Sequence, residues 1–392
     1  MKQLPARLSS IDVLRAITMF LMIFVNDSSG MKNVPEWLDH AKAFEDRMGF
    51  ADTIFPAFLF IVGLSLPFAI RNRVKKGAST SSILFYIISR SLALIVMGFY
   101  HVNLEEYSVS ASVLPRAVWE LVITLGFFLI WLDYPDTMKK LTRYILMGIG
   151  VAALIVMAIL YKGGDDGQIG GMHPSWWGIL GIIGWSYLVC ALVYFFFRNK
   201  PGMLLLFYAL FAAINILVHS VFPHLNIPVI DDGSSVTLTM GGVVITEIYT
   251  WLVEKKEKIQ HIWVIFTIIG VSAIALGFLL RPYAGGISKI RSTPAWVFIC
   301  SGITILMFEL LIYIVDIKGK KNYFNIIRPA GTSTLTCYLL PYLQVAIMEL
   351  LDISYPDIFN SGWLGLLRSA IVAFVIIGIV GLMEKKRLRL KV

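Results

Sequence analysis

Long apolar stretches separated by short polar loops occupy the chain from end to end. About twelve of them approach the roughly 20 apolar residues that a helix needs to cross a membrane. They lie at about 12–30, 50–70, 82–100, 117–132, 141–161, 176–197, 202–219, 236–252, 260–280, 294–316, 332–351 and 362–383. The pattern predicts an all-α fold, a polytopic integral membrane bundle of about twelve helices, with residues 1–392 forming a single transmembrane domain.

The weakest of these predicted spans is 236–252. It contains Glu247 and the small-residue run TMGG. An ionisable residue within a span is costly when it faces lipid, and small residues let helices pack closely. We therefore expect this helix to lie inside the bundle.

Composition supports a membrane protein and excludes several other classes. The 392 residues are 57% hydrophobic and 15% charged, and the mean hydropathy of +0.76 is too high for a soluble globular chain. The net charge of +9 comes largely from short loops, so membrane orientation explains it better than nucleic-acid binding. Cys190, Cys300 and Cys337 lie in apolar stretches without metal-ligand spacing, which favours packing roles over a disulfide or a metal site.

Basic residues collect in alternate loops, as they do in the cytoplasmic loops of membrane proteins. The predicted cytoplasmic segments are 71–77, 139–143, 198–202, 254–258, 318–321 and 384–392. The opposite loops, among them 101–110, 162–168, 222–235 and 352–357, are acidic or neutral. This asymmetry predicts that both termini are cytoplasmic.

One predicted external loop breaks this rule. Residues 281–293 carry Arg281, Lys289 and Arg291. Basic residues are disfavoured in external loops, so their presence here suggests a functional role, such as binding the anionic part of a glycan acceptor or a cofactor phosphate. The alternative is that a short loop simply tolerates three cations.

The main cluster of candidate residues lies in the first two spans and the loop between them. Arg15 stands in the first turn of one span and Asn26 near its far end. His40 follows in the loop, and Asp52 opens the next span in the motif DTIFPAFLFIVG. By the predicted topology, His40 lies at the external face.

This arrangement resembles the heparan-α-glucosaminide N-acetyltransferase family of transmembrane acyltransferases. Three later segments, ISKIRSTPAW (287–296), VDIKG (315–319) and RPAGTSTLTCYLL (328–340), are also similar to that family, whereas about 135–235 matches less clearly. The resemblance implies that an acetyl group passes from cytosolic acetyl-CoA to an amino sugar across the membrane, with the loop histidine as the catalytic residue. It also implies that the chain can form a homodimer. Because no counterpart of the animal lumenal domain is found, we expect a bacterial inner-membrane protein.

The chemistry of acetyl transfer suits the residues around His40. The acceptor amine or hydroxyl must lose a proton as it attacks the thioester, and a neutral imidazole can take that proton as general base. The same imidazole could instead carry the acetyl group as a covalent intermediate. Asn26 could donate to the developing oxyanion or orient the imidazole, and Asp52 could fix the imidazole tautomer. The alternative for Asn26 and Asp52 is a helix-end cap.

Two arginines are candidates for contacting coenzyme A. Arg15 lies near the cytoplasmic end of the first span, and Arg90 lies about midway along the third. Guanidinium groups bind phosphates well, and charged groups within spans usually face a cavity or a partner. The alternative for both is a structural ion pair with one of the acidic residues Asp12, Glu120, Glu247 and Glu309.

Further candidates for binding the acceptor lie on external loops. Lys289 and Arg291 are the candidates in the basic loop, and His173 precedes the aromatic run PSWWG with Trp176. Trp176 could stack on a sugar or could belong to the aromatic belt at the membrane interface.

The sequence thus predicts an acetyl-CoA-dependent N- or O-acetyltransferase that acts on a carbohydrate at the external face. We find no P-loop, Rossmann fingerprint, GxSxG or HExxH motif, so hydrolases, NTPases and dehydrogenases have no support. The alternative from another class is a multi-span transporter or flippase of a sugar or lipid-linked glycan. A third hypothesis is an acyltransferase homologue that has lost activity and serves as a scaffold, against which the intact Arg15, Asn26, His40 and Asp52 argue.

Overall fold

The computed structural model describes residues 8–164, 168–222, 225 and 227–392, so parts of the predicted external loops 162–168 and 222–235 lie outside the described residues. Every regular element in the described ranges is a helix, which confirms the all-α prediction. The α-helices are α1 (Ser9–Ser28), α2 (Ala51–Lys75), α3 (Thr80–Val102), α4 (Arg116–Trp131), α5 (Lys140–Leu160), α6 (Gly178–Phe197), α7 (Pro201–Ser220), α8 (Ser234–Glu254), α9 (Ile259–Leu280), α10 (Pro294–Leu311), α11 (Arg328–Thr332), α12 (Thr334–Leu350) and α13 (Gly362–Lys385). A π-helical turn, Ile312–Ile317, continues α10.

The chain is a polytopic helical membrane protein. Ten of the described helices are long and apolar enough to cross a membrane. α4 and α12 are shorter, with 16 and 17 residues, but both lie where the sequence predicts spans. The clearest difference from the prediction is at 332–351, because Ser333 adopts a non-helical backbone (φ −127°, ψ 45°) and separates α11 from α12.

α8 lies inside the bundle, as its polarity predicts. Of the 18 consecutive residues that are most apolar in α8, 67% are buried, whereas in the corresponding stretch of α5 only 17% are buried. Gly242 lets α8 approach α2 so closely that a Cβ atom there would come within 2.1 Å of the Phe60 carbonyl oxygen. The carboxylate of Glu247 pairs with Arg71 at 2.7 Å. The ionisable group is therefore neutralised by a neighbouring helix, as expected for a charge at membrane depth.

The helix ends that charge patterning assigns to the cytoplasm lie together, and we call this the inner end of the bundle. There the Asp316 carboxylate accepts the backbone N–H of Ser9 at 2.8 Å, and Leu390 of the C-terminal tail donates its N–H to Thr336 at 2.9 Å. The opposite, outer end carries loops 29–50, 281–293 and 351–361. The backbone pairing of Lys32 with Asn360 ties two of these loops together.

Candidate active site

The carboxylate of Asp52 anchors the loop that carries His40. Asp52 lies in the first turn of α2, and its side chain is only 1% exposed. One oxygen, Oδ1, lies 2.7 Å from His40 Nδ1. The other, Oδ2, accepts the backbone N–H groups of Ala41 and Gly49, each at 3.0 Å. Asp52 therefore fixes both the ring of His40 and the loop on either side of it.

This geometry assigns the tautomer of His40. A carboxylate oxygen can only accept, so at 2.7 Å the Nδ1 atom of His40 carries the proton that forms the hydrogen bond. The lone pair of the neutral imidazole is then on Nε2. The His40 side chain is 31% exposed, so Nε2 can be reached by an acceptor. A His–Asp pair in this state is suited to general-base chemistry.

Lys289 is the second charged group beside His40. Its Nζ lies 3.3 Å from His40 Nδ1. Because Nδ1 already donates to Asp52, the ammonium acts here as an electrostatic partner of that carboxylate. Burial lowers the pKa of Lys289, and the negative charge of Asp52 opposes this effect. The Lys289 cation and the Asp52 carboxylate therefore attract each other beside the imidazole ring.

A polar clamp holds the loop of Lys289 against the loop of His40. Asp46 accepts the backbone N–H of Ile287 at 2.6 Å and the Nε–H of Arg281 at 2.9 Å. Burial raises the pKa of the Asp46 carboxyl, but these two hydrogen bonds outweigh it and leave the pKa below its usual value. Gly286 has φ +75°, and a Cβ there would lie 2.7 Å from Asp46 Oδ1. The turn therefore requires glycine where the two loops meet.

Gly49 is a second position where the loop leaves no room for a side chain. A Cβ atom there would lie 1.7 Å from the Asp39 carbonyl oxygen. We expect Gly49→Ala to displace residues 39–40 and to destabilise the protein by about 1–3 kcal/mol, the usual cost of overpacking. The measurement is the midpoint of thermal unfolding in detergent. Gly148→Ala in α5 is the control, since a Cβ at Gly148 meets open space. An equal decrease of the unfolding midpoint in both variants would contradict overpacking at Gly49.

Asn26 is not brought into contact with His40. Its side chain is exposed near the outer end of α1 and forms no hydrogen bond with another described residue. The next residue, Asp27, instead binds Arg368 Nη2 at 2.9 Å and Ser369 Oγ at 2.6 Å. No local pattern indicates this cluster, because Asp27 lies 341 and 342 residues from its two partners.

Arg15 and Arg90 line one large cavity. Its volume is about 1200 Å³, above the roughly 300–1,000 Å³ of ordinary ligand pockets. Six cationic side chains of the described residues line it: Arg15, Arg71, Lys75, Arg90, Arg389 and Lys391. The acidic lining residues are Asp12 and Glu254. Arg15, Arg71, Arg389 and Lys391 pair with carboxylates in or beside the cavity, which leaves Lys75 and Arg90 as the lining cations without such a partner among the described residues.

The cavity changes character towards the outer end. There its lining includes Met22 of α1, Phe58 of α2, Leu94 of α3, Leu180 of α6 and Tyr338 of α12. Phe58 follows Asp52 by six residues, which is about 9 Å along a helix. The apolar end of the cavity therefore lies beneath the His40–Asp52 pair.

Arg15 and Arg90 differ in how many hydrogen bonds their guanidinium groups form within the protein. Arg15 bonds to Asp12 at 3.1 Å, to the Gly331 carbonyl at 3.2 Å and to Ser65 Oγ. Arg90 donates to Tyr86 OH at 2.9 Å, and it pairs with no carboxylate among the described residues. Arg15 therefore forms the structural ion pair that was the alternative to ligand binding, with Asp12. Arg90 forms no such pair in the described part of the chain and has guanidinium N–H groups available to a ligand.

The remaining predicted site residues lie apart from His40. The Arg291 side chain is exposed, and its carbonyl accepts from His219 Nε2 at 2.6 Å. His173 lies 3.3 Å from Glu106, and Trp176 donates its Nε1–H to Glu105 at 3.0 Å. Of the predicted acceptor residues, Lys289 is the one that the fold places beside His40.

Two cationic residues of the cavity were missed from the sequence. Arg389 and Lys391 belong to the C-terminal tail, which returns along the inner end so that Lys391 donates its N–H to the Trp131 carbonyl at 2.8 Å. Membrane orientation alone accounts for their charges in the sequence. Only the folded course of the tail shows that Arg389 and Lys391 also line the cavity.

Comparison with known proteins assigns the family. A family model described as a domain of unknown function (DUF5009) matches residues 7–216 of the 392-residue chain, which is more than half. The chain belongs to this family.

Two curated relatives are similar over shorter stretches. Human (Homo sapiens) heparan-alpha-glucosaminide N-acetyltransferase is 35% identical over 100 residues, 26% of this chain and 14% of the relative. The mouse (Mus musculus) protein of that name is 30% identical over 141 residues, 33% of this chain and 21% of the relative. The matches thus cover about a fifth or less of each relative. They support the resemblance seen in the sequence over part of the chain and a likeness to membrane N-acetyltransferases.

Proposed function

We propose that this protein is a membrane-bound acyltransferase that moves an acetyl group from cytoplasmic acetyl-CoA to an amino sugar, or a sugar hydroxyl, at the external face. The observation that carries the proposal is the cation-lined cavity whose apolar end lies beneath the His40–Asp52 pair. The similarity to N-acetyltransferases supports the same chemistry.

The cavity has the properties that acetyl-CoA requires. The donor has a phosphorylated nucleotide at one end and a slender acyl thioester at the other. Lys75 lines the inner end and pairs with no carboxylate among the described residues, so it would bind a phosphate through charge-assisted hydrogen bonds. Arg71 and Arg389 already pair with Glu247 and Asp133, and they would add only the guanidinium N–H groups that these ion pairs leave over. Met22 and Phe58 at the outer end would surround the thioester. A molecule bound in this orientation presents its acetyl group towards the outer end, where His40 lies.

His40 would then act as the general base. Its Nε2 takes a proton from the acceptor nitrogen or oxygen as that atom bonds to the acetyl carbon and the C–S bond breaks. Asp52 holds the ring in the required tautomer and stabilises the imidazolium that forms. An alternative in which His40 itself carries the acetyl group uses the same atoms.

The test is transfer of labelled acetyl from acetyl-CoA to a panel of amino sugars by the purified chain, alongside calorimetric titration with acetyl-CoA. We expect saturable binding of acetyl-CoA and label on at least one amino sugar. A chain that binds no acetyl-CoA would overturn the proposal. A transporter would instead move a sugar across a vesicle membrane without acetyl-CoA, and this flux would survive His40→Ala.

Arg90 gives a direct test of where the donor binds. We expect Arg90→Gln to raise the KM for acetyl-CoA by about 10- to 100-fold, since a hydrogen bond to a charged group contributes about 1.5–3 kcal/mol, and to change kcat little. The measurement is initial rate against acetyl-CoA concentration. Arg387→Gln is the matched control, because Arg387 pairs with Asp136 at the surface and does not line the cavity. An unchanged KM for Arg90→Gln would place the donor elsewhere.

A further inference from the structure

A second group of polar side chains, buried except for the partly buried Tyr342, lies beyond the outer end of the cavity and is not used in the mechanism above. Its centre is Tyr342 of α12. The Tyr342 ring stacks on the His101 ring, with centroids 4.1 Å apart and planes 4° from parallel. Its hydroxyl lies 3.3 Å from the hydroxyl of Tyr338, which lines the cavity. This pair of tyrosines therefore leads from the cavity to His101.

Two ionisable side chains in this group are buried and carry polar atoms without hydrogen-bond partners among the described residues. His101 is 7% exposed and Glu120 is 4% exposed. Neither ring nitrogen of His101 has a hydrogen-bond partner in the described part of the chain, and neither does Glu120 Oε2. Buried polar groups in folded proteins are almost always hydrogen-bonded, so unpaired ones call for a functional explanation.

Charged groups continue the series towards the outer end. Tyr342 lies within electrostatic range of Glu120 and Glu105, and Glu120 lies within range of Arg116 and Glu349. Glu105 is exposed and accepts the indole N–H of Trp176. Tyr342 therefore has carboxyl groups in its surroundings as well as the hydroxyl of Tyr338.

The proposed acyl transfer creates a need that this series meets. When the C–S bond breaks, coenzyme A leaves as a thiolate inside an apolar part of the cavity, where an unpaired charge is costly. Tyr338 is the hydroxyl group that the cavity shares with the second polar group. It can donate its proton to the sulfur and regain one from Tyr342.

We propose that Tyr338, Tyr342 and Glu120 form a proton path from the outer surface to the end of the donor cavity, with Tyr338 protonating the leaving thiolate and the His101 ring packed against Tyr342. This inference rests on the proposed acetyl transfer. The N–C bond forms as the C–S bond breaks, and His40 takes the proton of the acceptor amine. The thiolate takes the proton of Tyr338, which is replaced through Tyr342 from the carboxylic acid of Glu120. Glu120 regains a proton from water at the outer surface, and His40 releases one there, so protons balance.

The experiment measures kcat, the KM for acetyl-CoA and the solvent deuterium isotope effect on kcat in the purified chain and in two variants. We expect Tyr338→Phe and Glu120→Gln each to lower kcat by roughly 10²-fold, the lower range for loss of general acid catalysis. The KM for acetyl-CoA should stay within about twofold, because neither change removes a phosphate contact. Both variants should also show a changed isotope effect, which a purely structural defect would not produce.

Tyr107→Phe is the matched control. Tyr107 is a buried tyrosine whose hydroxyl donates to the Leu114 carbonyl at 2.7 Å, outside the path. Wild-type kcat and isotope effect in Tyr338→Phe and Glu120→Gln would overturn the path and leave the acetyltransferase proposal standing. Equal losses in Tyr107→Phe would also overturn it, since the effect would then be general. Failure of the wild-type chain to bind acetyl-CoA would overturn both proposals.

Discussion

His40→Ala is expected to lower kcat for acetyl transfer by roughly 10²- to 10⁴-fold, the usual contribution of a general base. The variant loses the Nε2 lone pair, while Asp52 keeps its two backbone hydrogen bonds from Ala41 and Gly49. The loop should therefore stay in place. The KM for acetyl-CoA should change little, because His40 does not line the cavity. Steady-state rates with a labelled donor measure both constants.

The control for this experiment is His261→Ala. His261 pairs with Glu257 at the start of α9 and is 55% exposed. It tests whether removal of any accessible imidazole from the protein lowers the rate. Wild-type kcat in His40→Ala would exclude His40 as both base and acetyl carrier.

Asp52→Asn is expected to have an effect of similar size for a different reason. If the new amide oxygen keeps the hydrogen bonds from Ala41 and Gly49, the amide NH₂ faces His40 Nδ1 and forces the ring proton onto Nε2. The base is then blocked, and kcat falls by roughly 10²- to 10⁴-fold. If the amide is turned round, its NH₂ meets two backbone donors, and the lost hydrogen bonds destabilise the protein by about 1–3 kcal/mol.

Rates and thermal unfolding in detergent, measured on the same preparation, separate these two orientations of the new amide. Asp39→Asn is the matched control, because Asp39 accepts the backbone N–H of His40 at 2.7 Å but does not bond to its ring. We expect kcat of Asp39→Asn within about threefold of wild type, since that bond leaves the ring tautomer untouched. Asp52→Asn with both normal kcat and normal stability would contradict the assigned role of Asp52.

The helices could be predicted closely from hydropathy, because each apolar stretch must satisfy its own backbone hydrogen bonds in a membrane. The position of α8 followed from Glu247 and its small residues in the same way. The break at Ser333 could not be predicted, since this position holds neither glycine nor proline. The break depends on how α11 packs, because a Cβ at Gly331 would lie 2.4 Å from the Asp12 carbonyl oxygen of α1.

Only the part of the site formed by residues close together in the sequence could be predicted. His40 and Asp52 are 12 residues apart, and a loop leading into a helix brings them together. Lys289 is 249 residues from His40, so its unusual charge in an external loop suggested a use but not the imidazole as its neighbour. The Asp46–Arg281 clamp that places it spans 235 residues and leaves no local signal.

Histidine count and location could not single out His101. The six histidines of the chain include several near the predicted external face. What distinguishes His101 is that both ring nitrogens are buried without partners in the part of the chain that the structure describes. This property depends on packing between α3, α4 and α12 and has no counterpart in the sequence around residue 101.

Transfer across a sealed membrane tests the central proposal most directly. The purified chain is placed in closed vesicles with labelled acetyl-CoA on one side only and an amino sugar on the other side only. Because neither compound crosses the bilayer, only chains whose cavity opens to the donor side can react. We expect labelled sugar in the acceptor compartment with wild-type protein and none with His40→Ala. Label that appears only when donor and acceptor share one compartment would contradict transfer across the membrane.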